Sequence, residues 1–457
     1  MLSTLHPRDS PWTGPILVGT LGTLVVFGSL TAYISSRTPD ARARRIGAKL
    51  PPGPERSFLV GNLFNFPRKR WFETFTKWSE DFGDIIYVNV AGVTMVVLNS
   101  LEITQQLTSK PIYNGRPYKT MTNELMYTNH VMIVAQPGPT FNEQRKVFRK
   151  VLGAQVVSSY DGLIEQNIEP LLTALSGYSG DPYPILQDAV GAVIIKLGYG
   201  DKIYQEHGKE LIDLNVRRMK LINTTFAKFW MVDIFPSLRH IPAWFPGAGF
   251  RRLGQEATLL GKKARYWAFG MAEQAMKEGT ADDSVVRRYL DEDVFANDQL
   301  RDAIALMYST GVDTTSTAID NLIYSMLLHP NVQRRVHAEL DGAGAGPDRI
   351  LSPSEIERLP LFQAVFKESL RWNPPAINGV PHVNTQEDVW NGYYIPKGSL
   401  INCNIGFFMR DPRIWGEDSQ EFKPERFLDV DSDKLPDMGS VPFGFGRRRV
   451  SSAYKHF

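Results

Sequence analysis

Pro442-Phe443-Gly444-Phe445-Gly446-Arg447-Arg448-Arg449-Val450 is the stretch on which the reading of this 457-residue chain turns. Two glycines flanking a phenylalanine let the backbone turn tightly and come close to a flat partner. Three consecutive arginines add fixed cations for carboxylates carried beside that plane. The stretch therefore reads as a loop that cradles a flat, acidic ligand, and Val450 closes it with a plain hydrocarbon surface.

Three stretches upstream belong with it. Glu368-Ser369-Leu370-Arg371 puts a carboxylate and a guanidinium three apart, on one face of a helix. Leu361 to Phe366 before the pair is largely apolar and Trp372-Asn373-Pro374-Pro375 ends the helix, so the pair faces inward and the arginine needs further acceptors. Asn297 to Leu328, stopped by His329-Pro330, reads as one long helix whose only charges between Asp302 and His329 are Asp313 and Asp320. So apolar a helix is expected to be buried. Within it, Thr310-Gly311-Val312-Asp313-Thr314-Thr315 contains a glycine that costs about 1 kcal/mol relative to alanine, which the close approach of a flat ligand would explain. A threonine hydroxyl beside a carboxylate can pass protons; the alternative is a helix kink with the threonine bonded to its own backbone.

Taken in order, these stretches resemble the cytochrome P-450 monooxygenases of the microsomal, fungal-like type. The family's haem loop, Phe-x-x-Gly-x-Arg-x-Cys, is matched by Phe443, Gly446 and Arg448, and Val450 stands where the family has the cysteine that ligates iron. The family motif Ala/Gly-Gly-x-Asp/Glu-Thr-Thr/Ser is matched from Gly311 onward, with Thr310 where a smaller residue is usual. The resemblance implies a mainly α fold with a small β-sheet, haem b as cofactor, and Asp313 and Thr314 managing protons while one oxygen atom of O2 enters a lipophilic substrate. It implies that Glu368 and Arg371 join Arg426 of Pro424-Glu425-Arg426-Phe427 in a structural lock. Arg145, in Phe141-x-x-x-Arg145 where the family has Trp-x-x-x-Arg, is implied as a haem-propionate contact. His382 falls where the family often places another, or is a satisfied loop histidine. An NADPH-dependent P-450 reductase is the implied partner, docking on Lys146, Arg149 and Lys150 unless these are a solvated helix face.

Composition fits. The 51 basic and 49 acidic residues give no field for nucleic acid, and the single cysteine, Cys403, forbids an intrachain disulfide. Residues 1–36 carry an uncharged run at about 15–34, long enough for a transmembrane anchor. Arg37, Arg42, Arg44, Arg45 and Lys49 follow it, which places the body on the cytoplasmic side of a membrane crossed once, and the resemblance implies that of the endoplasmic reticulum. Residues 37–54 read as a basic, Pro-rich stiff hinge, and 55–449 as the haem-thiolate monooxygenase-like domain. Within that domain, Trp71 to Phe82 is predicted as a helix, Ile85 to Val90 and Thr94 to Leu98 as a hairpin, and Tyr393 to Ile395 and Ser399 to Asn402 as strands. The Trp-bearing loop between Phe229 and Phe250 either meets the bilayer interface or folds back on the core.

Residues 450–457 are expected to be a non-homologous tail. The family continues past this point into a helix under the haem, so the chain reads as truncated at the haem loop. Val450-Ser451 can be encoded as GTGAGT, the consensus start of a eukaryotic intron, and the tail is accordingly expected to translate an unspliced intron. Without its thiolate the chain is expected to be inactive, and the alternative is a membrane-anchored pseudoenzyme that binds a lipophilic ligand or a partner.

Overall fold

The computed structural model describes residues 38–449 except 58–59, 227, 229, 347–348 and 429–433. The expected anchor at 15–34, and Val450 with the tail, lie outside these. Among the described residues no helix is long and apolar enough to cross a membrane.

Helix α1 (Trp71–Phe82) turns Trp71, Phe75, Trp78 and Phe82 onto one cluster with Val88 and Met95, and stops where Gly83 takes a positive φ. Strands β1 (Ile85–Val90) and β2 (Val93–Leu98) form the hairpin, turning through Ala91 and Gly92 at positive φ. Helix α2 (Leu101–Ser109) follows, its first turn capped by Ser100. The large helical layer comprises α3 (Pro139–Val151), α4 (Tyr183–Tyr199), α5 (Asp201–Phe226), α6 (Gly249–Lys277) and α7 (Asn297–Leu328). Beyond a further helix over Pro330–Gly342 lies α8 (Pro360–Trp372), with the Glu339 carboxylate of that preceding helix accepting from the free amides of Leu361 and Phe362.

The remaining strands are β3 (His382–Val383), β4 (Asp388–Trp390), β5 (Tyr393–Ile395) and β6 (Leu400–Cys403). A four-stranded sheet runs β1-β2-β6-β3, with β6 parallel to β2, while β4 and β5 pair separately. The late strand β6 thus closes a sheet begun near the start of the chain.

The Pro-rich stretch is held against both sheets. Tyr87 donates from its amide to Pro52 O (2.8 Å), Tyr394 to Lys49 O (2.8 Å), and Lys49 to Gly392 O (3.1 Å). A Cβ at Gly53 would stand 2.1 Å from Tyr87 O, so only glycine permits this docking.

Helix α7 differs from the fully buried helix expected. Leu300 and Asp302 to Ser309 are buried, whereas Thr314, Thr315, Tyr324, Leu327 and Leu328 are exposed. Its tight packing lies in the first half, where small residues let α4 come close. A Cβ on Gly198 would meet Ile304, and one on Gly311 would meet Ile194 Cδ1 at 2.8 Å. Gly311 therefore serves helix packing, and the flat ligand invoked for it is not what faces it.

Candidate functional site

Helix α8 delivers Glu368 and Arg371 inward, three residues apart and both fully buried. Arg371 donates to Glu368 Oε2 (2.6 Å) and Oε1 (2.8 Å), and to the carbonyls of Met409 (2.6 Å), Ser419 (2.8 Å) and Glu421 (2.8 Å). Arg426 donates to Glu368 Oε1 (3.1 Å) and to Asp418 Oδ1 (3.2 Å), and the Lys423 amide donates to Glu368 Oε1 (2.7 Å). One carboxylate so ties α8 to the segment leading into the arginine-rich loop. Both lone-pair sets of Glu368 and all five donors' worth of Arg371 geometry are used, as burial demands.

The loop itself is pinned from both sides. Phe445 is buried against Phe408, Trp415 and Cys403, with the Phe408 ring edge-on at 6.0 Å. Gly444 and Gly446 take positive φ, and a Cβ at Gly446 would stand 2.2 Å from Thr108 O at the end of α2. The close approach that Gly446 was expected to offer a flat partner is thus spent on a helix terminus. Phe443 is half-buried at the start of the loop.

Arg448 turns inward. It donates to the carbonyls of Asn114 (2.8 Å), Met132 (3.2 Å) and Ala135 (2.8 Å), with its guanidinium 4.1 Å from the centre of the Phe141 ring. Arg145, one turn beyond Phe141 on α3, donates to Arg449 O (3.1 Å). His382 on β3 is buried, with Nδ1 2.9 Å from Tyr113 O; a carbonyl only accepts, so Nδ1 carries the proton. Arg116, which the sequence reading missed, is buried beside them and donates to Val380 O (2.7 Å) and Pro381 O (2.9 Å), leaving Nε without a partner.

These groups repel one another. Burial lowers Arg448 to about 10, with Arg145 adding to the effect, and lowers Arg116 to about 9, with Arg448 adding to it. Burial, Arg116 and Arg448 push His382 down to about 3. Among the described residues no carboxylate pairs with Arg116, Arg145 or Arg448. Buried cations that meet only carbonyls and each other form a site for anions.

Asp313 and Thr314 are adjacent on α7 but point to different partners. The Asp313 carboxylate accepts from Tyr183 Oη (3.2 Å) and Asn223 Nδ2 (3.0 Å), and Tyr183 Oη lies 3.1 Å from Thr317 Oγ1. Thr314 Oγ1 donates to Thr310 O (2.9 Å), the self-bonded arrangement set against proton transfer above. Burial raises the Tyr183 phenol above its ordinary range, so it stays a donor to Asp313.

A family model for cytochrome P450 matches residues 51–449. The chain belongs to the cytochrome P450 family. It is 32% identical over 422 residues to cytochrome P450 monooxygenase 208 of Postia placenta, covering 89% of this chain and 80% of that one. It is 31% identical over 434 residues to cytochrome P450 monooxygenase claR of Ampulloclitocybe clavipes, covering 93% and 79%.

The P450 family implies haem b, and the two sides of that cofactor fare differently here. Arg116, Arg145 and Arg448 fit the two propionates, supplying cations that lack an acid partner among the described residues, with the neutral His382 beside them. The iron side does not fit a thiolate. Val450 at the P450 cysteine position has no donor atom. Cys403 is buried in the Phe408, Trp415 and Phe445 cluster, where burial pushes its thiol up to about 12. Such a thiol is protonated at neutral pH and is no ligand.

Tyr183 and Asn223 were also missed. Neither carries a sequence signal, since Asp313 meets them from 130 and 90 residues away. Arg116 carried none either: that the preceding Gly115 packs against the strand of His382, where a Cβ would stand 2.6 Å from Val383 O, shows only in the structure.

Proposed function

We propose that this chain descends from, and keeps the framework of, a haem-dependent monooxygenase that inserts one oxygen atom of O2 into a lipophilic substrate. As written, with Val450 in the place of the iron-ligating cysteine, this chain is inactive in turnover. The observation that carries the reading is the group of buried Arg116 and Arg448 and half-buried Arg145, cations with no acid partner among the described residues, with neutral His382 next to them and a P450 loop that ends in Val450. Haem bound by a thiolate supplies electron density that favours splitting of the O-O bond. No step of that chemistry is assigned to this chain, because the sulfur is absent from its place.

The chain's own residues retain definite roles. Arg116 and Arg448 would hold the propionates, with Arg145 at the loop carbonyl and Phe443 at the loop's start. A carboxylate at His382 Nε2 requires the imidazole to take up a proton, because Nδ1–H is already given to Tyr113 O. Tyr183 and Asn223 hold the Asp313 carboxylate, and Thr314 follows it on α7. The Glu368, Arg371 and Arg426 lock fixes the loop and takes no part in turnover.

The anchor at about 15–34 places the body on the cytoplasmic face of the endoplasmic reticulum membrane. The loop after α5 supports a surface that touches lipid: Trp244 is 78% exposed, with Phe235 and Phe245 also exposed. The NADPH-dependent P-450 reductase is the electron donor of the ancestral activity. The second reading, a pseudoenzyme that binds a lipophile, is favoured by Val450. Incubating the full chain with haem, NADPH, the reductase and a panel of lipophilic substrates tests the choice. Ligand binding without product supports binding over turnover, and product formation overturns it. Sequencing the transcript across the Arg449 and Val450 codons tests the proposed unspliced intron.

A further inference from the structure

Lys119 stands at the entry to the π-helical turn Thr120–Leu125, and its backbone is fixed there twice over. Its amide donates to Asn123 Oδ1 (2.9 Å), and its carbonyl accepts from the Asn123 amide (2.8 Å). The side chain is half-buried, and Nζ lies 5.9 Å from the centre of the Phe226 ring at the end of α5.

What this amine lacks is a counter-charge. Lys110, Lys146, Lys196 and Lys423 each reach a carboxylate, at 2.7, 2.7, 3.2 and 2.8 Å. Among the described residues Lys119 Nζ makes no ion pair and no hydrogen bond, and the Phe226 ring is what it meets. The acid that acts on it from a distance is Asp233, on the short helix Met231–Ile234, one of whose oxygens accepts from the Met121 amide (2.8 Å). The surroundings of that helix are apolar, with Met121, Met126 and Val232 packed against Leu221, Ile222 and Trp230. Burial lowers the amine below its ordinary range, and Asp233 opposes this only in part. An amine that is desolvated, uncommitted to an acid and still reached by solvent keeps more of its free base at neutral pH than an exposed lysine does, and the free base is the nucleophile.

We propose that Lys119, held over Phe226 without an acid partner, is a covalent modification site for short aliphatic aldehydes. The Nζ lone pair adds to the aldehyde carbon while the C=O pair moves to oxygen. That oxygen then leaves as water with the two amine hydrogens, and a C=N bond remains. No oxidant, metal or haem enters this balance, so the site is independent of Val450 and of the missing sulfur.

The test exposes the full chain in detergent micelles to propanal with sodium cyanoborohydride, which reduces each imine to a stable secondary amine. Peptide mass spectrometry then reads the extent of modification at each lysine over time. At neutral pH Lys119 should be modified ahead of the exposed, unpaired Lys69 and Lys397. Near pH 10, about the ordinary lysine value, that lead should be lost, because exposed amines are then free as well. Asp233→Asn keeps an acceptor for the Met121 amide but removes the opposing charge, so in a variant with the parent's far-UV circular dichroism it should widen the lead at neutral pH. Modification of Lys119 that trails Lys69 and Lys397 at neutral pH overturns the proposal. So does a lead that persists unchanged near pH 10, which would reflect access alone, or one that the folded Asp233→Asn variant narrows. Should that variant fail to fold, the pH comparison on the unaltered chain decides.

Discussion

Replacing Glu368 by alanine should be among the most damaging single changes available to this protein. The carboxylate is fully buried and accepts four hydrogen bonds: two from Arg371, one from Arg426 and one from the Lys423 amide. Removing it leaves Arg371 with its three carbonyl partners but without a counter-charge, and leaves Arg426 with only Asp418 as an acid partner. Breaking a buried pair from one side costs about 3–5 kcal/mol, because the stranded charge remains buried. Against a total stability of about 5–15 kcal/mol, that is a large fraction of what keeps the chain folded. Glu368→Gln keeps the volume but turns an NH2 toward arginine donors, so it should recover only part of the loss. The exposed Arg335–Glu425 pair on the same segment is the control, and Arg335→Ala should cost less than about 1 kcal/mol. Urea unfolding followed by far-UV circular dichroism reads all three. If Glu368→Ala costs no more than Arg335→Ala, the lock is not what holds the arginine-rich loop.

Arg116→Gln should weaken haemin binding by about 10- to 100-fold, the worth of a hydrogen bond to a charged group, while binding of the haemin dimethyl ester is unchanged. Equal loss for acid and ester in a spectrophotometric titration would mean that Arg116 acts through packing. Acidification should destabilise the fold below about pH 6.5. His382 and His130 are held near 3 in the folded chain but titrate near 6.5 when unfolded, so the unfolded state binds more protons. The expected fall in unfolding free energy is about 1.4 kcal/mol per pH unit for each histidine between those limits. His382→Gln should roughly halve the slope, and a flat urea midpoint between pH 7 and 5 would contradict the burial of neutral imidazoles. In vesicles containing brominated lipid, Trp244→Phe should remove part of the quenched tryptophan emission; unchanged quenching would place the exposed loop after α5 away from lipid.

What was legible in the sequence was what is local. Trp71–Phe82 shows its aromatic face, and Asn297–Leu328 runs uninterrupted to His329-Pro330, so both helices read with their observed bounds. Glu368 and Arg371 read as inward-facing because their helix is apolar on both flanks. Partners were less legible. That β6 lies parallel to β2, or that Tyr183 and Asn223 hold Asp313, depends on tertiary packing between distant segments. Glycines showed that something approaches closely but not what: Gly311 and Gly446 face Ile194 and Thr108 O, where a flat ligand was expected. The Pro-rich stretch was read from its stiffness alone, and its backbone bonds to β1 and β5 come from groups that no composition displays. Arg116 was passed over because an isolated arginine in a loop resembles any surface arginine until its burial is known.

The central claim is that a P450 framework here carries its cation group for haem carboxylates but no sulfur for the iron. The most direct measurement is the reduced carbon-monoxide difference spectrum of the full chain, purified after expression with excess haem. The account predicts no thiolate-type Soret band, even where absorption shows haem retained through Arg116, Arg448 and their neighbours. A thiolate-type band from this chain would contradict it, for the sulfur would then have to come from Cys403, and both the burial of that thiol and the meaning given to Val450 would be wrong.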